Sequence, residues 1–572
     1  MYKVSLLVLG LLLSSSCAPL QKPTTPEVGV NAKLKEHTRE FKKEVVRVHE
    51  KIHVAVGYGL ANSIMVEAPE GLIIIDTMET REEAQVVLDE FRKISTKPIK
   101  AIIYTHNHTD HIFGAEVFTE GNDVPVFAHE TTRSLIERLV NVVKDSITVR
   151  SLRMFGVYLD SAGLENAGIG PHLGITPKST LGAILPTHVF KDELKVTVAG
   201  LDIELYHAPG ETSDQLFVHI PAFSAIFPGD NFYRAFPNLY TIRGTPYRDV
   251  MQWVSSLDHI IGFEPEFLVP SHTRPLQGKA TIQSALTDYR DAIQFVHDQT
   301  IRGVNLGLTP DQIVAQVTLP KKLASSPYLA EHYGKVEWSV RAIFSGYLGW
   351  FNGVSRSLHP VGFDSRAEEV LALIGSEEKA ITYLRAQIKA GKTTWALEVA
   401  DYILSVHPTN QQASELKIEV LSQLGEAEEN ANARHYYLTQ ARETRLGTVD
   451  YFQPTPSRGM LEQFKLETIL ASLSVHLSPG KARDQEKKVV LEFQDAGEVF
   501  SIHVRNQVAV ITPRDIFEDP DIRVVADSLL FKEMLAQLRS PALTLPRFKY
   551  KEGSLIDFAK FLLLFEPGRY QN

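Results

Sequence analysis

Seven consecutive residues, Thr105-His106-Asn107-His108-Thr109-Asp110-His111, constrain this chain more than any other stretch. They follow the apolar run 99–104, which reads as a buried strand, and they precede a helical pattern. Where a strand ends and the chain turns, alternate side chains can converge on one point. His106 and His108, two apart, can share one ion. Asp110 and His111, on the turn into the helix, can reach a second. Imidazole and carboxylate are suitable ligands for a divalent metal such as zinc. A plain polar surface turn has no need of this spacing in this strand-then-helix context.

The composition leaves that chemistry open and closes others. The chain has 572 residues and a single Cys, which excludes an intrachain disulfide framework and any Cys-rich zinc or iron–sulfur site. Twenty histidines remain as ligands. The net charge is 59 − 69 = −10 without long Lys/Arg runs, which argues against nucleic-acid binding. Hydrophobic residues at 44% and charged residues at 22% fit folded domains rather than disorder.

Residues 1–17 read as an export signal: Lys3, an apolar run at 4–13, then Ser14-Ser15-Ser16-Cys17. That run is too short for a transmembrane helix. The placement of Cys17 resembles a bacterial lipoprotein signal, in which this Cys is lipidated, although Ser14 stands where such signals favour Leu. The other reading is an ordinary secretory signal with an incidental Cys. Either places the protein outside the cytoplasm, in the periplasm or anchored at the outer membrane. Residues 18–44 then read as a tether.

Three domains follow. Residues 45–280 mix strand and helix patterns, with strands expected at 71–76, 99–104, 125–128, 195–206, 216–220, 225–227 and 267–269 and a helix at 81–94. Residues 281–447 read as all-α, with helices at 286–301, 336–348, 367–373, 377–390, 393–406 and 410–424. Residues 448–572 read as a small α+β domain: a helix at 459–477, a three-strand meander at 488–511, and helices at 528–538 and 555–564.

The His-x-His-x-Asp-His run resembles the signature of the metallo-β-lactamase superfamily, which implies an αββα first domain. The resemblance implies further ligands after later strands. Glu211 in His207-Ala-Pro-Gly-Glu211 stands where many members have a His. Asp230 in Pro228-Gly229-Asp230 matches the bridging carboxylate, and His272 in Pro270-Ser271-His272 matches the last ligand. Two zinc ions per chain are thereby implied: one held by His106, His108 and Glu211, the other by Asp110, His111 and His272, with Asp230 between them. His207 is expected beside the ligands rather than among them.

Glu211 in place of the His resembles the alkyl sulfatase branch, as do Asn238-Leu-Tyr240-Thr-Ile-Arg243-Gly244, Gly346-Tyr-Leu-Gly-Trp-Phe-Asn-Gly353 and the helical and C-terminal regions. The resemblance covers about residues 45–566 and implies a dimerisation domain, a sterol-carrier-like last domain and a homodimer. Three departures stand out. Asp230 replaces a usual Glu. Glu211 follows Pro-Gly directly rather than one residue later. Glu337-Trp338-Ser339 occupies the place of a segment that contributes a His near the sulfate. They leave the metal chemistry in place and the substrate open.

The implied reaction is hydrolysis of an alkyl sulfate ester by water that two metals acidify. Asp110 and Asp230 would orient that water, and Asn238, Tyr240 and Arg243 would bind the anionic ester. The alternatives are another hydrolase on this scaffold (lactonase, thioesterase or phosphodiesterase) and a non-enzymatic carrier of apolar ligands.

Overall fold

The computed structural model describes residues 29–566 apart from 142, 162 and 448–450. The export signal, Cys17 and the first part of the expected tether lie outside the described residues. The rest of that tether is not a loose linker. Ala32–His37 is a helix capped by Asn31, and Leu34 is fully buried. Leu34, His37 and Phe41 recur at helical spacing and dock this segment on the body, where Lys33 pairs with Glu429 and Glu40 with Arg234.

Two sheets form the first domain. The seven-stranded sheet runs Glu44–His49, Ile52–Val56, Ser63–Ala68, Gly71–Ile75, Ile99–Ile103, Val126–His129 and His188–Phe190. Its first four strands are antiparallel and its last four parallel. The six-stranded sheet runs Leu276–Gln277, Phe267–Leu268, Ala225–Phe227, Leu216–Ile220, Leu201–His207 and Glu193–Val198. Successive residues of a strand face opposite sides. Ile73, Ile75 and Ile103 therefore meet Leu205, Val218 and Phe227 between the sheets, while Ile74 and Ile102 meet Val87 and Phe91 of the helix Arg81–Arg92 outside. On the far side, Phe217, Ile226 and Leu268 pack under Trp253 and Leu257 of the helix Val250–Gly262. The result is an αββα sandwich.

The single strand expected at 195–206 is a hairpin. It turns at Ala199 and Gly200, both with positive φ (50° and 79°), as a tight two-residue connection requires. Ala is a poor signal for such a turn, so the two strands read as one run.

The helical region contains Phe363–Ile374, Glu377–Lys389, Thr393–Val406, Gln411–Ala427 and Ala431–Leu446, the last of which the periodicity did not single out. The boundary expected at 281 falls inside the helix Lys279–Asn305. Ile282, Leu286, Tyr289 and Ile293 of that helix share one core with Trp253, so it belongs to the outer layer of the sandwich. The last domain wraps a five-stranded sheet, ordered Val508–Thr512, Glu498–Arg505, Lys487–Phe493, Ile522–Val525 and Lys549–Glu552, with its helices. The final two strands are additions to the expected meander; Lys549–Glu552 is an edge strand of mostly charged residues with little apolar signal. The helix expected at 459–477 breaks at Phe464 and Lys465, whose backbones are extended. Among the described residues no helix is long and apolar enough to cross a membrane.

Candidate metal centre and substrate cavity

The ligand loop is fixed by Asp76, at the end of the strand Gly71–Ile75. Its carboxylate accepts from the backbone N–H and hydroxyl of Thr105 (2.9 Å each) and from the hydroxyl of Ser271 (2.6 Å), and it stands 2.8 Å from Nδ1 of His111. Asp76 itself holds a left-handed backbone (φ 59°), an uncommon conformation for a non-Gly residue. The tight turn before Asp230 needs Gly229: its φ is +57°, and a side chain there would meet Thr105 at 2.8 Å.

This framework brings the seven expected ligands together, all buried except partly exposed His108. His111 Nε2 stands 3.4 Å from Asp110 Oδ2 and 3.5 Å from Asp230 Oδ1. His272 Nε2 stands 3.4 Å from Asp110 Oδ2 and 3.3 Å from Asp230 Oδ2. His106 Nε2 is 3.6 Å from Asp230 Oδ2 and 2.9 Å from His108 Nδ1. Three sets of donor atoms each lie within 4.8 Å: Asp110, His111 and His272; His108, Glu211 and Asp230; His106, His111 and Asp230. Asp230 belongs to two of them. His111 Nε2, His272 Nε2 and Asp230 Oδ1 are buried without a hydrogen-bond partner. Buried polar atoms are ordinarily satisfied, so convergent orphans of this donor chemistry fit divalent cations.

The far nitrogens of the ligands are held in turn. His272 Nδ1 bonds the carbonyl of Leu60 (2.9 Å), and His106 Nδ1 the hydroxyl of Thr105 (3.0 Å). Glu211 receives Arg248 on one oxygen (2.9 Å) and the Tyr233 hydroxyl on the other (3.0 Å). Burial pushes the His106 imidazolium down to about 4, and burial with the neighbouring His106 and Arg243 holds His108 well below its ordinary value, so both rings are neutral, as metal ligation requires. Burial alone would raise Asp230; His272, His111 and His106 outweigh it and hold the carboxylate well below its ordinary range.

Arg243 lies with these groups: its Nη2 is 3.0 Å from Nε2 of His108. It lines a cavity that also contains His108, Asp110, Glu211 and Asp230 and continues along Phe113, Leu152, Phe155 and Leu173. Asn238 and Tyr240 are not among the residues that line this cavity. The Asn238 backbone is clamped by the Tyr233 hydroxyl (2.8 Å) and by Arg248, and its side-chain amide is buried without a hydrogen-bond partner. Tyr240 is half-buried outside the lining. His207 takes no part in the ligand sets; it bonds the Ser213 carbonyl and stacks on His129.

Several residues of the site carried no local signal. Asp76, Tyr233 and Arg248 hold candidate ligands in place. Tyr333, five residues before Trp338, lines the cavity, whereas Trp338 does not. Lys144 lines the cavity too.

Comparison with known proteins agrees with this geometry. The family model described as metallo-beta-lactamase superfamily matches residues 56–272, alkyl sulfatase dimerisation matches 309–447, and alkyl sulfatase C-terminal matches 454–570. A linear primary-alkylsulfatase from a Pseudomonas species is 36% identical over 467 residues, spanning 78% of this chain and 87% of the relative. An (R)-specific secondary-alkylsulfatase, also from Pseudomonas, is 28% identical over 523 residues, spanning 88% and 77%. The solved structure of the stereoselective inverting sec-alkylsulfatase Pisa1 from Pseudomonas superposes with a TM-score of 0.87 at 25% identity, covering 96% of this chain and 88% of that one.

Proposed function

The chain belongs to the alkyl sulfatase branch of the metallo-beta-lactamase superfamily, and from that premise we propose that it hydrolyses sulfate esters of alkyl alcohols with two zinc ions per chain. The observation that carries this reading is that Arg243 and four of the seven convergent residues, His108, Asp110, Glu211 and Asp230, line one cavity whose remaining wall is largely apolar. When bound, such ions supply acidified water and neutralise negative charge on the ester.

The protein's own groups supply the rest. His106, His108 and Glu211 would hold one ion and Asp110, His111 and His272 the other, with Asp230 reaching both. Arg243 has five N–H donors, of which one is committed to His108; the others can take the planar edge of a sulfate. Asp110 and Asp230 accept protons from water and orient it. Leu152, Phe155 and Leu173 exclude water and receive the alkyl chain.

The test is sulfate release from dodecyl sulfate by zinc-loaded protein, with His108→Ala as control. Turnover of a lactone or phosphodiester without sulfate release would sink the reading. Reaction in isotopically labelled water then shows whether the C–O or the S–O bond breaks, from whether oxygen enters the alcohol or the sulfate.

The dimerisation family match supports a homodimer, and the exposed Tyr347, Leu348 and Trp350 supply an apolar surface for it. Light scattering of wild type against Trp350→Glu tests this; a monomeric wild type would exclude it. Export, with Cys17 as a lipid attachment point, rests on the first seventeen residues. Fractionation of wild type and Cys17→Ala distinguishes anchored from freely exported protein.

A further inference from the structure

Leu60 is held on both sides of one Cα. Nδ1 of the candidate ligand His272 bonds its carbonyl (2.9 Å), and its N–H is donated to Oε1 of Glu79 (2.9 Å). The first bond leaves Nε2 of His272 as the nitrogen that faces Asp110 and Asp230. The same Glu79 oxygen accepts the N–H of Gly174 (2.9 Å), whose neighbours Leu173 and Ile175 line the cavity, as Leu60 does. One fully buried carboxyl therefore joins the residue that orients a ligand to a second stretch of cavity wall. Just beyond Leu60, Asn62 ties the chain to the segment around His272: its N–H goes to the Ser271 carbonyl (2.7 Å) and its side-chain amide to the carbonyls of Pro270 (3.2 Å) and Thr273 (2.8 Å).

Glu79 has a second carboxyl for a neighbour. It stands just before the helix Arg81–Arg92, and Glu83 in the first turn lies four residues on, at the spacing that brings side chains together. The two are hydrogen-bonded to each other, which two carboxyls can do only by sharing a proton. Oε2 of each has no other partner and is buried. The chain packs tightly on the pair: a Cβ at Gly59 would meet Glu79 Oε2 at 2.6 Å, and one at Gly174 would overlap the Glu83 carboxylate. The charged groups that face the pair are Lys43, just before the first strand, Glu82 on the same helix, and His172, whose Nε2 is 3.4 Å from Glu83 Oε1. Two buried N–H groups need only a neutral acceptor. A carboxyl whose charge is costly to bury, set beside a second one, is more than backbone satisfaction requires, and such local violations mark functional positions.

We propose that Glu79 is a positioning residue for the metal centre, fixing His272 through Leu60, and that the proton it shares with Glu83 locks it in place. The inference rests on the two-metal reading of the site and adds a control of metal binding from outside the ligand set. Burial pushes Glu83 up to about 7, and burial with the Glu83 charge raises Glu79 as well. The lock is therefore present below about pH 7 and is lost as pH rises through it, when two adjacent carboxylates repel.

The experiment titrates the full chain with zinc against a competing chelator on both sides of about pH 7, and records the visible absorption of the cobalt-substituted protein as a report on ligand geometry. Glu79→Leu removes the acceptor and should weaken zinc binding by about tenfold to hundredfold and alter the cobalt spectrum, whereas Glu79→Gln keeps an acceptor oxygen and should restore both. In Glu83→Gln the amide donates to Glu79 at every pH. Its zinc affinity should match wild type below about pH 7 and exceed it by about tenfold above. Should Glu79→Leu not fold, the Glu83→Gln comparison decides alone. A ratio of Glu83→Gln to wild-type affinity that does not change with pH, or wild-type affinity and spectrum in Glu79→Leu, overturns the proposal. Neither readout needs turnover. If the zinc-loaded protein releases no sulfate from dodecyl sulfate, the enzyme reading falls and the metal titrations still decide this one. Sulfate release with metal binding unmoved by the variants leaves the enzyme reading standing and removes the role of Glu79.

Discussion

The guanidinium of Arg243 stands 3.0 Å from Nε2 of His108, on the opposite side of the imidazole from the nitrogen that approaches His106. One residue therefore both lines the substrate cavity and fixes the ring orientation of an expected ligand. Replacing it with Lys keeps the charge and loses the planar fork. Arg243→Lys should lower kcat/KM for dodecyl sulfate by about tenfold to hundredfold, the range for groups that orient metal ligands. Steady-state kinetics together with metal content per chain measures it, and an unchanged kcat/KM would remove Arg243 from the site.

Asp110, Asp230 and Glu211 bury three carboxylates in one cluster. Without cations their mutual repulsion and desolvation weigh on the folded state. Removing metal with a chelator should lower the melting temperature and abolish activity, and added zinc should restore both in a concentration-dependent way. Asp230→Asn should show a much smaller zinc-dependent rise, since its carboxylate belongs to two ligand sets. Scanning calorimetry at several zinc concentrations decides it; equal rises in both proteins would contradict the bridging role.

Glu79 and Glu83 form a second carboxyl pair away from the ligands. Glu79 accepts the backbone N–H groups of Leu60 and Gly174, at 2.9 Å each. Burial pushes Glu83 up to about 7 from an ordinary 4.5, and burial with the Glu83 charge raises Glu79 as well. The folded chain thus holds protons there more tightly than the unfolded chain. The corresponding stability is fully present below about pH 4.5 and is lost as pH rises through about 7. Glu83→Gln should flatten the decline of stability across that window relative to wild type. Denaturant unfolding at a series of pH values tests the difference, and parallel curves would refute it.

Ser151 is a small residue on the cavity face of its helix. Ser151→Phe fills space there and should shift preference toward shorter chains. The ratio of kcat/KM for dodecyl over hexyl sulfate should drop by about tenfold or more, given roughly 0.8 kcal/mol per buried methylene. A constant ratio would place the alkyl chain elsewhere.

The convergence of the candidate ligands was readable because each follows a strand, and His106 to His111 lie within one short run. Glu211, Asp230 and His272 became readable through family resemblance, which tolerates the large separations between them. Asp76 escaped because an Asp after an apolar run looks like any turn residue; only the fold reveals that Thr105, His111 and Ser271 meet on it. Lys144 and Tyr333 come from segments whose contact with the cavity depends on how helices pack onto the sandwich, which local periodicity does not encode. Asn238 and Tyr240 show the opposite limit. Proximity in sequence to Arg243 does not fix side-chain direction: Tyr233 and Arg248 hold the Asn238 backbone, and Asn238 does not line the cavity.

Asp76 joins Thr105 and His111, which extend from the first sheet, to Ser271, which extends from the second. Neither half of the sandwich therefore owns the site. The first sheet by itself carries only four of the seven candidate ligands and lacks Glu211, Asp230 and His272, so the candidate set is complete only where the two halves of the sandwich meet.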